Sequence, residues 1–422
     1  MSETKPIPVS KRMVWEAYKK VKANKGAAGV DGENLKKFEE KLADNLYKVW
    51  NRLASGTYFP PPVKEVEIPK ADGKIRKLGI PTVGDRVAQM VVKDYLEPRM
   101  EAIFHENSYG YRPHRNAHEA LTKARRNCWL YSWVIDMDIK GFFDNINHEK
   151  LLLAIDKHVD EKWVKMYIKR WLTAPVQNKA GELILKEGKG TPQGGVISPL
   201  LANLFLHYAF DQWLTLHFKG VKFERYADDI IVHCSSKEQA EKILECIGKR
   251  MQECGLELHP EKTKIVYCKD HKRTGNHENV KFDFLGFTFK PRPSKTKDGF
   301  MFLGFDLAMS SKAGKRILLA LRQSQFFRWT TTTIEGIAAE LNPQLRGWLN
   351  YYGKFRPSNM TYIFRKFHKR LIKWMQNKYK SLRGKIWKTY GMLKRIQKEQ
   401  PGLFEHWKQW YSWKGLKLTK AV

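Results

Sequence analysis

The stretch Phe223–Cys234, FERYADDIIVHC, decides the fold. Apolar residues flank the aspartate doublet Asp228-Asp229 on both sides. Such a pattern reads as two strands meeting at a tight turn, with the doublet at the tip. Aspartate pairs usually mark solvated turns. Here the neighbours are apolar, so ionising two adjacent carboxylates is costly unless a divalent cation neutralises them. A second acidic strand lies upstream. Trp133–Asp138 (WVIDMD) is short and apolar and runs into Ile139-Lys140-Gly141-Phe142-Phe143-Asp144. Asp136 and Asp138 share one strand face, so either is placed to join the doublet. Carboxylates suit Mg²⁺, and a pair of such ions can activate a hydroxyl, bind a triphosphate and stabilise a leaving oxygen.

Working outward, strands and helices alternate to about residue 300. Arg12–Asn24 reads as a helix broken by the glycine-rich Asn24–Gly32. Val63–Leu78 alternates as a hairpin with Ala71-Asp72-Gly73 at its turn. Ser198-Pro199 opens a helix to about His217, with Ser198 as its cap. Lys237–Cys254 carries Ala240, Ile243, Leu244, Ile247 and Met251 on one stripe, with Gly255 as its stop. Phe282–Phe289 is strand-like. Lys290–Gly299, with Pro291 and Pro293, reads as a connection. The chain beyond Ser310 is helical.

The 422 residues suggest about three domains. Net charge is +33, and it is uneven: Met301–Val422 holds 25 Lys and Arg against 5 Asp and Glu, with seven of the 14 tryptophans. A charge this large calls for a polyanionic partner. Hydrophobic content of 42% excludes a disordered basic tail. No apolar run approaches the roughly 18 residues of a membrane span, and no apolar signal segment opens the chain. Five scattered cysteines, with no C-x-x-C pair, imply free thiols in a reducing cytoplasm.

In the C-terminal region, Leu345, Trp348, Leu349 and Tyr352 form one apolar stripe. Phe364, Phe367, Leu371, Trp374 and Met375 form another, with Lys366, Lys369, Arg370 and Lys373 roughly opposite. An apolar face that docks and a basic face that stays outward suit phosphate-backbone binding. Trp407, Trp410 and Trp413 either stack bases or pack the end of the domain.

Tyr226-Ala227-Asp228-Asp229 is a Y-x-D-D box. With it come, in order, Gly26–Gly32, Ile68–Thr82 (IPKADGKIRKLGIPT), Tyr109–His118 (YGYRPHRNAH), Asp136–His148 (DMDIKGFFDNINH), Gly190–Asn203 (GTPQGGVISPLLAN), Leu258–Lys264 (LHPEKTK) and Phe284–Phe287 (FLGF). Together with Leu345–Tyr352 (LRGWLNYY), this set resembles bacterial group II intron-encoded reverse transcriptases with a maturase domain. The resemblance covers nearly the whole chain. It implies an α/β (α+β) right-hand polymerase, fingers and palm, followed by an all-α thumb/maturase domain. The expected divisions are 1–60 as N-terminal extension, 61–290 as fingers and palm, 291–309 as connection and 310–422 as thumb.

Residue roles follow from the same resemblance. Asp138, Asp228 and Asp229 match the metal-binding triad, with the Ile139 carbonyl as a further ligand. The family's spacing favours Asp138 over Asp136. Two Mg²⁺ are implied, with Mn²⁺ as a substitute. Lys70, Arg76, Phe143 and Gln193 match nucleotide-binding positions, Phe143 lying beneath the sugar where a ribose 2′-hydroxyl would collide. Lys262 matches the candidate general acid for pyrophosphate departure. Gly194 and Gly195 line the nucleic-acid path, and Leu285 and Gly286 fall in the primer grip. The implied partners are an RNA template with a DNA or RNA primer, dNTPs and group II intron RNA. No membrane is involved, and the protein is a monomer or homodimer. No cysteine follows residue 300, so the Cys-pair endonuclease module of some intron proteins is not expected. Two other readings remain: a splicing maturase with little polymerase activity, and a host-recruited reverse transcriptase in repair or phage defence.

Overall fold

A computed structural model describes residues 6–69, 75–296 and 298–412, with side chains to 408. The chain divides into two compact units, Met1–Val266 and Tyr267–Val422.

The N-terminal unit is built on an antiparallel sheet. Its strand order is Lys222–Tyr226, Asp229–Cys234, Trp133–Asp138, Lys264–Tyr267. Val134, Ile135, Ile230, Ile231 and Val232 are fully buried in it. The helices Ala117–Leu130 and Lys237–Glu253 pack against this sheet. Ser236 caps the second of these through the Gln239 amide, and Ala240, Ile243, Ile247 and Met251 form its buried stripe. A smaller sheet joins Ile75–Ile80, Val63–Pro69, Val176–Gln177 and Leu183–Ile184. The first two are the expected hairpin arms, paired from Lys64 with Ile80 to Pro69 with Ile75. Its tip, with Ala71-Asp72-Gly73 and Lys70, lies outside the described residues.

The helix from Ser198 differs from expectation in two ways. Ser198 is its first residue rather than its cap, and the Ser198 hydroxyl accepts a hydrogen bond from Thr191 at 2.8 Å. The helix then widens into one π turn, His207–Asp211, before Gln212–His217 completes it.

The C-terminal unit opens with a three-stranded sheet, Met301–Met309, Phe287–Lys295, Phe282–Phe284 in spatial order. Residues 291–309, expected to connect two domains, therefore form most of a hairpin. The prolines misled: Pro291 and Pro293 both turn their missing N–H to the same side. Beyond Phe289 the central strand pairs on one side only among the described residues, so neither proline costs a ladder bond. After Ser310 every described element is helical. Leu345, Leu349, Phe364, Phe367, Leu371, Trp374 and Met375 meet in one core. Trp407 packs there too, fully buried, which removes it from base stacking. Trp410 and Trp413 lie outside the described side chains.

That core encloses a histidine pair. Trp407 Nε1–H donates to His368 Nε2 at 2.8 Å, and His406 Nε2 lies 2.9 Å from the same atom. Burial pulls His368 down to about 4, and burial together with His368 holds His406 well below its ordinary value. The folded state keeps both neutral, whereas the unfolded chain protonates them near pH 6.5. Their contribution is thus intact above pH 6.5 and is lost as pH falls toward 4. Denaturant titrations between pH 7 and pH 5 will show stability falling increasingly steeply below 6.5, toward a limit of about 1.4 kcal/mol per pH unit for His368. His368→Gln will flatten that slope.

Candidate active site

The sheet sets Asp138 directly opposite Asp229, on adjacent antiparallel strands. Tyr226 pairs with Asp229 on the other side, so Ala227 and Asp228 form a two-residue turn, with Ala227 in the left-handed region at φ 58°. Asp138, Asp228 and Asp229 thereby meet at one end of the sheet. Asp136 pairs with Ile231 deeper along the strand, and Lys264 lies 3.5 Å from its carboxylate. The register thus separates the two aspartates that shared a strand face in the sequence.

Like charges set opposite each other destabilise a sheet. Burial first, and Asp138 second, raise the Asp228 carboxyl above its ordinary value. Lys262 Nζ sits 2.7 Å from Asp138 Oδ2, an ammonium where a cation is wanted. Among the described residues no three His, Cys, Asp or Glu side chains converge into a tight cage. The donor set is nonetheless of hard carboxylate oxygens with open coordination, which fits Mg²⁺ keeping several waters and phosphate oxygens. Ile139 is buried next to Asp138, and its bridge to Leu258 anchors the strand end.

A second wall comes from Thr191-Pro192-Gln193-Gly194-Gly195. The Gly79 amide donates to the Gln193 carbonyl at 2.8 Å. Gly194, at φ 126°, passes so close to the Gly79 carbonyl that a Cβ would lie 2.4 Å from its oxygen. Only glycine fits there. Arg76 Nε donates to Gln193 Oε1 at 2.8 Å, and Gln193 Nε2 donates to Asp144 at 3.2 Å. Phe143, 8% exposed, offers its carbonyl to the Thr191 amide, while Phe142 packs beneath against Phe205. Gly195 abuts the Ser198 hydroxyl. Lys70 lies outside the described residues. Sequence reading missed Asp144 as a partner of Gln193. It also missed Lys186, which burial pulls down to about 8 against the opposing effect of Asp144.

The remaining expected residues belong to the C-terminal unit. Leu285 and Gly286, at φ 49° and 79°, form the turn between Phe284 and Phe287. The Leu285 carbonyl accepts from the Tyr351 hydroxyl, and the Gly286 carbonyl from the Ser310 amide. Lys366, Lys369, Arg370 and Lys373 line one groove of about 760 Å³ with Lys315, Arg322 and Arg328. Phe327 and Tyr362 line it as well, and no carboxylate does. Burial and Arg322 lower the Arg370 guanidinium. The helical spacing of the four cations is visible in the sequence; the other three come from the helix Ser311–Gln323 and the turn after it.

Comparison with known proteins gives two domain matches. Residues 68–289 match the model of the reverse transcriptase (RNA-dependent DNA polymerase) family. Residues 316–391 match the group II intron maturase-specific domain. Protein YkfC of Escherichia coli (strain K12) is 32% identical over 295 residues, covering 60% of this chain and 77% of YkfC. Group II intron-encoded protein LtrA of Lactococcus lactis subsp. cremoris is 33% identical over 262 residues. That match covers 59% of this chain and 42% of LtrA, so the chain spans less than half the length of that relative. Among solved structures, apo telomerase from Candida tropicalis overlaps at TM-score 0.43 and 17% identity, over 59% of this chain and 55% of that one.

Replacing Asp228 by Asn removes a charge that the apo fold holds at a cost. Thermal melts in EDTA will show Asp228→Asn more stable than wild type. Adding Mg²⁺ will stabilise wild type and leave the variant nearly unmoved.

Proposed function

Because the chain belongs to the reverse transcriptase (RNA-dependent DNA polymerase) family and also carries a group II intron maturase-specific domain, we propose that it copies RNA into DNA and binds intron RNA to assist splicing and mobility. Asp138 facing Asp229 across the sheet, with Asp228 on the adjoining turn, carries this proposal.

Asp138, Asp228 and Asp229, with the Ile139 carbonyl, would hold divalent cations, two Mg²⁺ or in their place Mn²⁺. Such ions, when bound, lower the barrier to attack by the primer 3′-hydroxyl and neutralise the departing pyrophosphate. The protein's own groups do the positioning. Arg76 is placed to turn from Gln193 to a triphosphate oxygen, where its planar fork binds two oxygens at once. Lys70 is assigned the same phosphates. Gln193, fixed between Arg76 and Asp144, contacts the incoming nucleotide, and Gly194 and Gly195 let the strand approach. Phe143 presents a ring edge beneath the sugar and excludes a 2′-hydroxyl. Lys262 leaves Asp138 on its flexible stem and gives a proton to pyrophosphate.

In the C-terminal unit, Leu285 and Gly286 steady the primer strand. The groove of Lys366, Lys369, Arg370 and Lys373 takes phosphates of the RNA, the intron or the template–primer duplex. Free thiols and the absence of any described helix able to cross a membrane suit a cytoplasmic site of action.

Primer extension on an RNA template with Mg²⁺ tests the enzyme. Wild type will extend with dNTPs and Asp228→Ala will not, while RNA binding survives in both. Phe143→Ala will raise rNTP incorporation by about 10-fold or more. Failure of wild type to extend across salt and primer conditions would favour the splicing maturase without polymerase activity. Neutralising the groove lysines will weaken RNA binding across sequences, each lost phosphate contact lowering the log–log salt slope by about 1.

A further inference from the structure

The turn that carries Asp228 is held from behind by a buried charge. Arg225 is the penultimate residue of the strand Lys222–Tyr226 leading into it and is 0% exposed, as is Asp211. Its guanidinium forks onto Asp211, with Nε to Oδ1 at 2.7 Å and Nη2 to Oδ2 at 2.6 Å. Nη1 donates to Asn203 Oδ1 at 2.9 Å and to the carbonyl of Ala227, within the turn itself, at 3.2 Å. Asn203 Nδ2 donates onward to the Gly110 carbonyl at 2.7 Å. Gly110 lies against the turn so closely that a Cβ there would meet the Ala227 amide at 2.4 Å. The Tyr109 amide closes the circuit on the Arg225 carbonyl at 2.8 Å.

The helix bearing Asn203 and Asp211 is shaped for this task. The two residues are eight positions apart, so a regular α-helix would leave them about 80° out of line. The π turn His207–Asp211 adds a residue to its turn and brings Asp211 back to the face of Asn203. Arg250 donates to the Tyr208 and Ala209 carbonyls, at 3.2 and 3.3 Å, in that turn.

We infer that Arg225, clamped by Asp211 and Asn203, is the positioning residue that fixes the Ala227–Asp228 turn and so sets the separation of Asp228 and Asp229 from Asp138. It touches neither substrate nor metal. Its lever is the Ala227 carbonyl, which holds a non-glycine residue in the left-handed region. Lysine cannot replace it, because one ammonium cannot fork onto Asp211 while reaching Asn203 and Ala227. The inference rests on the polymerase reading of this site.

The test uses the full-length protein with Arg225→Lys, Asn203→Ala and, as a stability control outside the clamp's hydrogen bonds, Tyr58→Phe, which loses its hydrogen bond to Asp85. Mn²⁺ binding to the metal-free protein is read by electron paramagnetic resonance, and kcat, KM for dNTP and the half-activating Mg²⁺ concentration by primer extension. Arg225→Lys and Asn203→Ala are expected to weaken Mn²⁺ binding and raise half-activating Mg²⁺ about 10- to 100-fold. Primer–template affinity stays unchanged. Tyr58→Phe lowers the melting temperature and changes neither readout. Wild-type metal binding and kcat in both clamp variants would overturn the inference, as would losses that merely follow the melting temperature. Should Arg225→Lys not fold, Asn203→Ala decides, since it leaves the buried ion pair whole. A wild type that binds Mn²⁺ yet extends no primer would sink the polymerase reading, with the Mn²⁺ measurements still judging the clamp.

Discussion

Three carboxylates held at one end of a sheet repel one another, and much of the N-terminal unit is arranged to keep them there. Asp138 and Asp229 are fixed face to face by strand register, which cannot slip by one residue without turning every apolar side chain outward. The buried Ile135, Ile230, Ile231 and Val232 therefore do electrostatic work through packing. Lys262 offsets part of the repulsion in the absence of metal. The rest is stored, and the proposed divalent cation would release it.

The acidic site could be read from the sequence because strand periodicity and turn chemistry are local. FERYADDIIVHC places its own doublet, and WVIDMD ends on its own aspartate. The residues alone left Asp136 and Asp138 level and the family's spacing chose between them; the physical separation is one of register, which is a property of two strands. Arg225 was illegible for a related reason. An arginine in a strand reads as a solvated edge residue, and its burial depends on Asp211, delivered by a helix whose π turn leaves no periodic mark. The hairpin over 287–309 was obscured by Pro291 and Pro293, whose compatibility with a strand depends on which side lacks a neighbour. Trp407 gave no hint of whether it would stack or pack; its fate was set by His368 and the core around it.

The two units spend their polar groups differently. In the first, buried charge is paired at close range, as in Arg225 with Asp211 and in Glu224 with His233 and Asn127. In the second, the buried histidine pair is neutral, and cations are gathered along one groove that no carboxylate lines. The first pattern suits geometry that must not move. The second leaves charge available to a flexible polyanion, at the expense of self-repulsion that bound phosphates remove.

Gly194 wedged on the Gly79 carbonyl, and the Gln193 carbonyl bound to the Gly79 amide, join a hairpin strand to the loop facing the sheet end. The two walls on which a nucleotide would rest are thus one mechanical part. A displacement of the hairpin carries Gln193 with it, so under the proposed roles closing on the phosphates and gripping the base would become a single event. Selectivity in such a pocket cannot be tuned on the base side alone: bulk added at Gly79 or Gly194 shifts both walls together. Variants sought for altered substrate range will be found at Phe143 more readily than at this seam.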